Sequence, residues 1–222
     1  MGNIIRLSDE KCLGVRYLAC GDKDNQYIIS GTPGNALGAY LDGGNITVYG
    51  NAQDATGDTM NAGEITIHGS TGDAAGYAMR GGQIYIKKDA GYRAGIHMKQ
   101  YKDKLPVMVI GGTAGSFLGE YQAGGIILVL GIGHERRSIA GNFCATGMHG
   151  GIMFLRTENV PKSMPSQVSV LNAKAEELKL IEDYITRYCE KFNEDKYKIM
   201  DSNYLVIRPN SNNPYRQLYC YS

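Results

Sequence analysis

Nowhere in the 222-residue chain is there a run of about 18 apolar residues, so no segment reads as a membrane-crossing helix. The first residues, MGNIIRLSDEK, lack the long apolar core of a secretory signal. Charge of one sign is not in excess: 23 Lys and Arg face 22 Asp and Glu. Neither a nucleic acid nor an anionic membrane is therefore indicated as a partner. The five cysteines (Cys12, Cys20, Cys144, Cys189, Cys220) are odd in number, widely spaced and contain no CxxC pair. That pattern speaks against a disulfide framework and a local zinc or iron–sulfur site, and the expected home is a reducing cytoplasm.

Motifs of self-sufficient chemistry are missing as well. The glycine-rich GTPGNALG contains no GxGxxG, and no GxxxxGK[ST] occurs. The four histidines (His68, His97, His134, His149) form no HxxH or HExxH pair. No nucleophile elbow or glycosidase-type acid pair stands out. The sequence thus assigns no catalytic, cofactor-binding or metal-binding residue, and no cofactor is expected.

Glycine is abundant, 30 of 222 residues and about twice the usual share near 7%. Its placement is periodic. The stretches GAYLDGGNITVYG (38–50), GDTMNAGEITIHG (57–69) and GYAMRGGQIYIKK (76–88) follow one another at a step of 19 residues. On that step Gly38, Gly57, Gly76 and Gly95 form one column, continued by Gly119. Gly44, Gly63 and Gly82 form another, continued by Gly125 and Gly151. Leu41, Met60, Met79 and Met98 line up, as do Ile46, Ile65 and Ile84; Val107, Ile127 and Met153 are expected to extend the aliphatic ladder past insertions at 99–106 and 133–138.

A fixed period in this range signals a solenoid. Each unit has one short run with inward positions two apart, the period of a strand, and too few other residues for a helix. The fold expected is therefore all-β: a right-handed, single-stranded parallel β-helix of about seven coils over residues 1–160. The Met and Ile columns would fill its bore and the glycines its corners, where a positive φ or close backbone approach excludes a Cβ.

Outward residues of the early strands, Thr47, Thr66 and Tyr85, are expected to meet water. In VMVI (107–110), IILVL (126–130) and IMFL (152–155) both faces are apolar, so something must cover them. Residues 161–222 provide the candidate cover. Pro161 and Pro165 mark a linker, and Leu171, Ala175, Leu178, Ile181, Ile185, Tyr188 and Phe192 recur at helical spacing over 172–192. The segments NYLVIRP and YRQLYCY read as short extended pieces of an end cap.

One column raises a chemical question. Asn35, Asp54 and Asp73 stack on the repeat, an arrangement that could serve a calcium-dependent polysaccharide enzyme or simply form Asp-type turns. Arg136 and Arg137, on the second insertion, could touch an acidic partner.

The GxxMxGGxIxIxG coil, seen in GDTMNAGEITIHG and GYAMRGGQIYIKK, resembles the GXGXG domain of the glutamate synthase large subunit, and is similar to the GXGXG-containing subunit of formylmethanofuran dehydrogenase. The resemblance covers about residues 13–156. RYLACGDKDNQYIISGTPGNALGAYLDGG, AGSFLGEYQAGGIILVLG and NFCATGMHGGIMFLR favour the synthase. Ala62, Gln122 and Lys88 depart from the pattern at single corners. The resemblance implies a non-catalytic subunit that orients glutaminase-type amidotransferase and FMN/iron–sulfur synthase subunits. None of that family's nucleophile, flavin or cluster residues maps here. A scaffold in another redox complex and a free-standing polysaccharide-acting β-helix are the alternatives, and a homo-oligomer is compatible with either.

Overall fold

A computed structural model describes residues 2–134 and 137–210. The expected extended segment YRQLYCY, with Cys220, and Arg136 lie outside the described residues. Eight strands run parallel in chain order: β1 (Ile4–Ser8), β2 (Gln26–Ser30), β3 (Asp42–Val48), β4 (Ala62–Ile67), β5 (Gln83–Ile86), β6 (Val107–Ile110), β7 (Ala123–Val129) and β8 (Gly150–Leu155). A short helix α1 (Asp9–Cys12) follows β1. The chain is a β-solenoid in which each turn lays one strand on the last.

The strand register sets inward side chains in ladders. Ile46 pairs with Ile65, Ile65 with Ile84, Ile84 with Met108, Met108 with Ile127 and Ile127 with Met153. A second inward row runs Val48, Ile67, Ile86, Ile110, Val129 and Leu155, and both rows belong to one buried core. Leu41, Met60, Met79 and Met98 stand in the same core without solvent exposure. Val107 corrects the expectation: it pairs with Gln83 and Ile126 and packs on the opposite face, leaving the bore to Met108 and Ile110. Because VMVI is apolar at all four positions, alternation could not say which residues point inward.

A second wall has a backbone of its own. In each coil three residues two apart carry positive φ: Ala36, Gly38 and Tyr40, then Ala55, Gly57 and Thr59, and so on to Phe117, Gly119 and Tyr121. The outer two amides donate to one neighbouring coil and the middle one to the other. Ala55 N bonds Asp73 O at 2.8 Å and Thr59 N bonds Tyr77 O at 2.7 Å, while Gly57 N bonds Leu37 O at 2.8 Å. All three backbone donors are thus satisfied between coils. Alanine fills the middle position at Ala19 and Ala145, but at Gly57 and Gly95 glycine is needed for more than its φ. A Cβ on Gly57 would lie 2.5 Å from Ile84 Cδ1, and one on Gly95 2.5 Å from Ile127 Cδ1. The side chain two strands on occupies the space a Cβ would take.

Single parallel bridges link Ala52 to Thr71, Thr71 to Ala90, Ala90 to Ala114 and Ala114 to Ala140, closing the third side. Small residues suit that narrow corner.

Beyond β8 the chain turns back. β10 (Leu205–Pro209) pairs antiparallel with β8, and β9 (Val168–Asn172) pairs antiparallel with β10, so the final sheet order is β1 to β8, then β10, then β9. NYLVIRP is therefore the closing strand, as expected of a cap. VSVLN is a strand too, and Leu171, placed by periodicity in a helix, sits on β9 at 63% exposure. Helix α2 (Ala175–Phe192) begins four residues later. Its start is fixed by Glu177, whose carboxylate accepts from the Lys174 amide at 2.8 Å. A short helix, α3 (Lys196–Met200), follows it.

Helix α2 lies on the outer face of the sheet. Ile181, Ile185, Tyr188 and Phe192 cover Tyr85, Val107, Val109, Leu128 and Phe154 in a second core. Cover extends further toward the early strands than expected, for Tyr85 has 0% exposure and Thr66 only 4%. Lys191 reaches Glu64 at 2.5 Å and Tyr188 donates to Lys87 O at 3.0 Å, pinning the helix across β4 and β5. Of the three outward residues expected to meet water, only Thr47 keeps partial exposure.

Candidate interaction surface

Two rows of side chains project from the positive-φ wall, one from each outer position. The first reads Tyr17 in the first coil, Ala36, Ala55 and Ala74 in the next three, then Arg93, Phe117 and Phe143. Tyr92, next to Arg93, joins the later part. Its ring centroid is 5.2 Å from that of Phe117, and Phe117 is 5.0 Å from Phe143. In the second row His97 stacks on Tyr121 at 5.1 Å and meets the edge of Tyr77 at 5.9 Å. The spacing near 5 Å follows from the separation of successive coils.

Much of this aromatic area faces water: Tyr92 is 37% exposed, Tyr77 39% and Phe143 46%. Between the rows lies an ion pair. Arg93 Nε donates to Glu120 Oε2 at 2.9 Å, and the guanidinium carbon sits 5.0 Å from the Tyr92 ring centre and 5.2 Å from that of Phe117. The Glu120 carboxylate beside it holds the Arg93 pKa above its ordinary value. Glu120 as a residue is only 7% exposed, so the pair is anchored from below.

The wall turns acidic in the preceding coils. Asp54 and Asp73 are exposed, and Asp58 is half-buried. The stacked acids serve the backbone: Asp54 Oδ1 accepts from the Asp73 amide at 2.9 Å and Asp73 Oδ1 from the Tyr92 amide at 2.8 Å. They bond the next coil rather than their own turn. A parallel set runs from Asn51 to the Ser70 amide and from Ser70 to the Asp89 amide. Among the described residues no three His, Cys, Asp or Glu are grouped to hold a metal ion.

The histidines are placed as aromatic neighbours. His68 stacks on Tyr49 at 4.5 Å and meets the edge of Phe192; burial, then Lys87 and Lys191, lower its pKa. His149 Nδ1 lies 3.0 Å from Gly147 O. Cys12, Cys20, Cys144 and Cys189 are free thiols, and burial pushes Cys144 up to about 12. A cleft beside His134, Thr157 and Asn203 is lined by Arg156, whose guanidinium is committed to Ser202 Oγ and Leu130 O at 3.0 and 2.8 Å.

The sequence alone does not group Tyr92, Arg93, Phe117 and Phe143. Insertions stretch the step to 24 residues between Arg93 and Phe117 and to 26 between Phe117 and Phe143, which hides the column from a fixed count. Counting back two from the column glycines Gly95 and Gly119 would have found the first pair.

Stacked parallel strands, a bore filled along its length by aliphatic and sulfur side chains, and a positive-φ wall glycine-bound at its centre define a glycine-repeat β-solenoid. The chain belongs to the GXGXG-motif family, whose model matches residues 10–210. It is 47% identical over 215 residues to the uncharacterized protein MJ1350 of Methanocaldococcus jannaschii, covering 93% of this chain and 82% of that one.

Proposed function

We infer that the protein is a non-catalytic scaffold of a glutamate synthase-type assembly in the cytoplasm, orienting a glutaminase-type amidotransferase and an FMN/iron–sulfur synthase subunit. The GXGXG family suggests a glutamate synthase-related role. The observation that carries the scaffold reading is the exposed aromatic wall of the late coils. A repeat that can be built with alanine at these positions carries Phe, Tyr and Arg instead. Those residue types are enriched where proteins meet proteins. The interior, by contrast, is occupied by Met79, Met108, Ile127 and their neighbours, all without solvent exposure.

Purification of the tagged chain from its native host, with bound proteins identified by mass spectrometry, tests the reading. Glutaminase and flavin-containing subunits in stoichiometric amount are the expected result. Molybdopterin or tungstopterin proteins in their place would move the scaffold to a formylmethanofuran dehydrogenase-like complex. A chain that purifies alone at native concentrations would defeat both.

A further inference from the structure

We propose that the aromatic wall centred on Arg93 is the docking surface for a protein partner that sets a carboxylate on the Arg93 guanidinium, with apolar side chains against Tyr92, Phe117 and Phe143. The proposal rests on the scaffold reading and gives it a face and a contact chemistry.

The repeat itself supplies the control. Ala36, Ala55 and Ala74 occupy the same column and make the same inter-coil bond: Ala55 N to Asp73 O is 2.8 Å, and Phe117 N to Asn142 O is 2.9 Å. The fold is therefore satisfied by alanine. Phe117 and Phe143 hold φ of 60° and 59°, a conformation that is an outlier for bulky residues. They carry that backbone strain and leave ring surface in water, costs that the ring contacts and the Arg93 guanidinium within the chain offset only in part.

Arg93 is prepared for a ligand. Its Nε is fixed by Glu120 and its plane is held beside two rings, so little freedom remains to be lost on binding. Among the described residues nothing accepts from its two terminal nitrogens. A planar guanidinium with both terminal nitrogens open matches a carboxylate. The surrounding rings would exclude water from that contact, the arrangement in which interface Arg and Tyr contribute most. Charge on the same wall selects against nucleic acid. Asp73 bonds the backbone of Tyr92, and Asp54 bonds that of Asp73, so a phosphate backbone along the coils would meet acids.

The test uses the full chain in its native host, with a photo-crosslinking phenylalanine at Phe143 and, as control, at Tyr197 on α3, which is 85% exposed. Arg93→Glu is compared with wild type for recovery of the co-purifying subunit, and Phe143→Ala for its affinity once that subunit is purified. Crosslinks from position 143 to the subunit, near an Asp or Glu, are expected, with none from position 197. Each substitution should weaken recovery or affinity by about tenfold or more. Phe143→Ala should leave the urea melt of the isolated chain in place. Arg93→Glu should lower its midpoint by unpairing Glu120, so recovery of Arg93→Glu is read where the isolated variant is still folded. Undiminished recovery with Arg93→Glu, or crosslinks from position 143 only to a second copy of this chain or to RNA, would overturn the surface and leave the scaffold reading standing. If wild type recovers no subunit at all, the scaffold reading itself fails and this proposal with it.

Discussion

Replacing Gly57 by alanine should impose two separable costs. Its φ is +72°, and alanine in that left-handed region costs about 1–2 kcal/mol. The new methyl would also lie 2.5 Å from Ile84 Cδ1, an overlap that forces the isoleucine off its rotamer for about 1–3 kcal/mol more. Gly57→Ala should therefore lose about 2–5 kcal/mol in sum. Valine is isoleucine without Cδ1, so Ile84→Val removes the atom in the way. Alone it costs about 0.5–1.5 kcal/mol. The double variant should recover most of the overlap, giving a coupling of about 1–3 kcal/mol, while the backbone cost stays. Ala145 shows that the two can be parted: it holds φ of 60° as alanine, in a coil followed by antiparallel β10. Urea melts of the four proteins by far-UV circular dichroism measure the cycle. Additivity within about 0.5 kcal/mol would refute the claim that glycine there makes room for the isoleucine two strands on.

Met79→Asp, which puts a charge into the bore, should cost more than about 4 kcal/mol, whereas Thr47→Asp on the outer face should cost about 1 or less. Equal shifts in urea midpoint would mean the strand faces are reversed. Gln122 stands in the methionine column, donates to Gly124 O and Gly125 O at 3.2 Å each, and leaves its buried Oε1 without a donor. Gln122→Met should therefore cost less than about 1 kcal/mol and Gln122→Ala about 2 or more, a ranking that thermal melts can reverse if the amide matters. Burial would raise the pKa of Asp22, but bonds from Asn25, Tyr27 and the Asp24 amide outweigh it and hold the carboxyl at about 2. A folded-state pKa below the unfolded one stabilises the protein above the unfolded value and is lost on acidification. Stability should thus fall between about pH 4 and pH 2, and Asp22→Asn should flatten that slope in urea melts taken across the range.

How much could be read without coordinates depended on which physical rule each residue obeyed. Ile46, Ile65 and Ile84 alternate with polar neighbours at a constant 19-residue step, so both their face and their register were legible. The VMVI strand follows an insertion and is apolar throughout, so neither the step nor the alternation could place Val107. The positive-φ wall was legible only at its glycines. Tyr40, Thr59, Arg93 and Phe117 adopt the same conformation with ordinary side chains, imposed by hydrogen bonds to the coils on either side. Strand β9 was lost because Leu171 happens to fall in phase with the helix that follows. The aromatic wall went unseen for a simpler reason: its members share a column only after the insertions are subtracted.

The antiparallel turn at β10 restricts how proteins of this kind can grow or shrink. Between β2 and β5 every strand presents the same edge to its successor, so a coil gained or lost by duplication or deletion there leaves both termini unaware of the change. Past β8 an added coil would meet a neighbour pointing the wrong way. At that end length can vary only from within, and any binding geometry measured from the closing strand survives such changes unaltered.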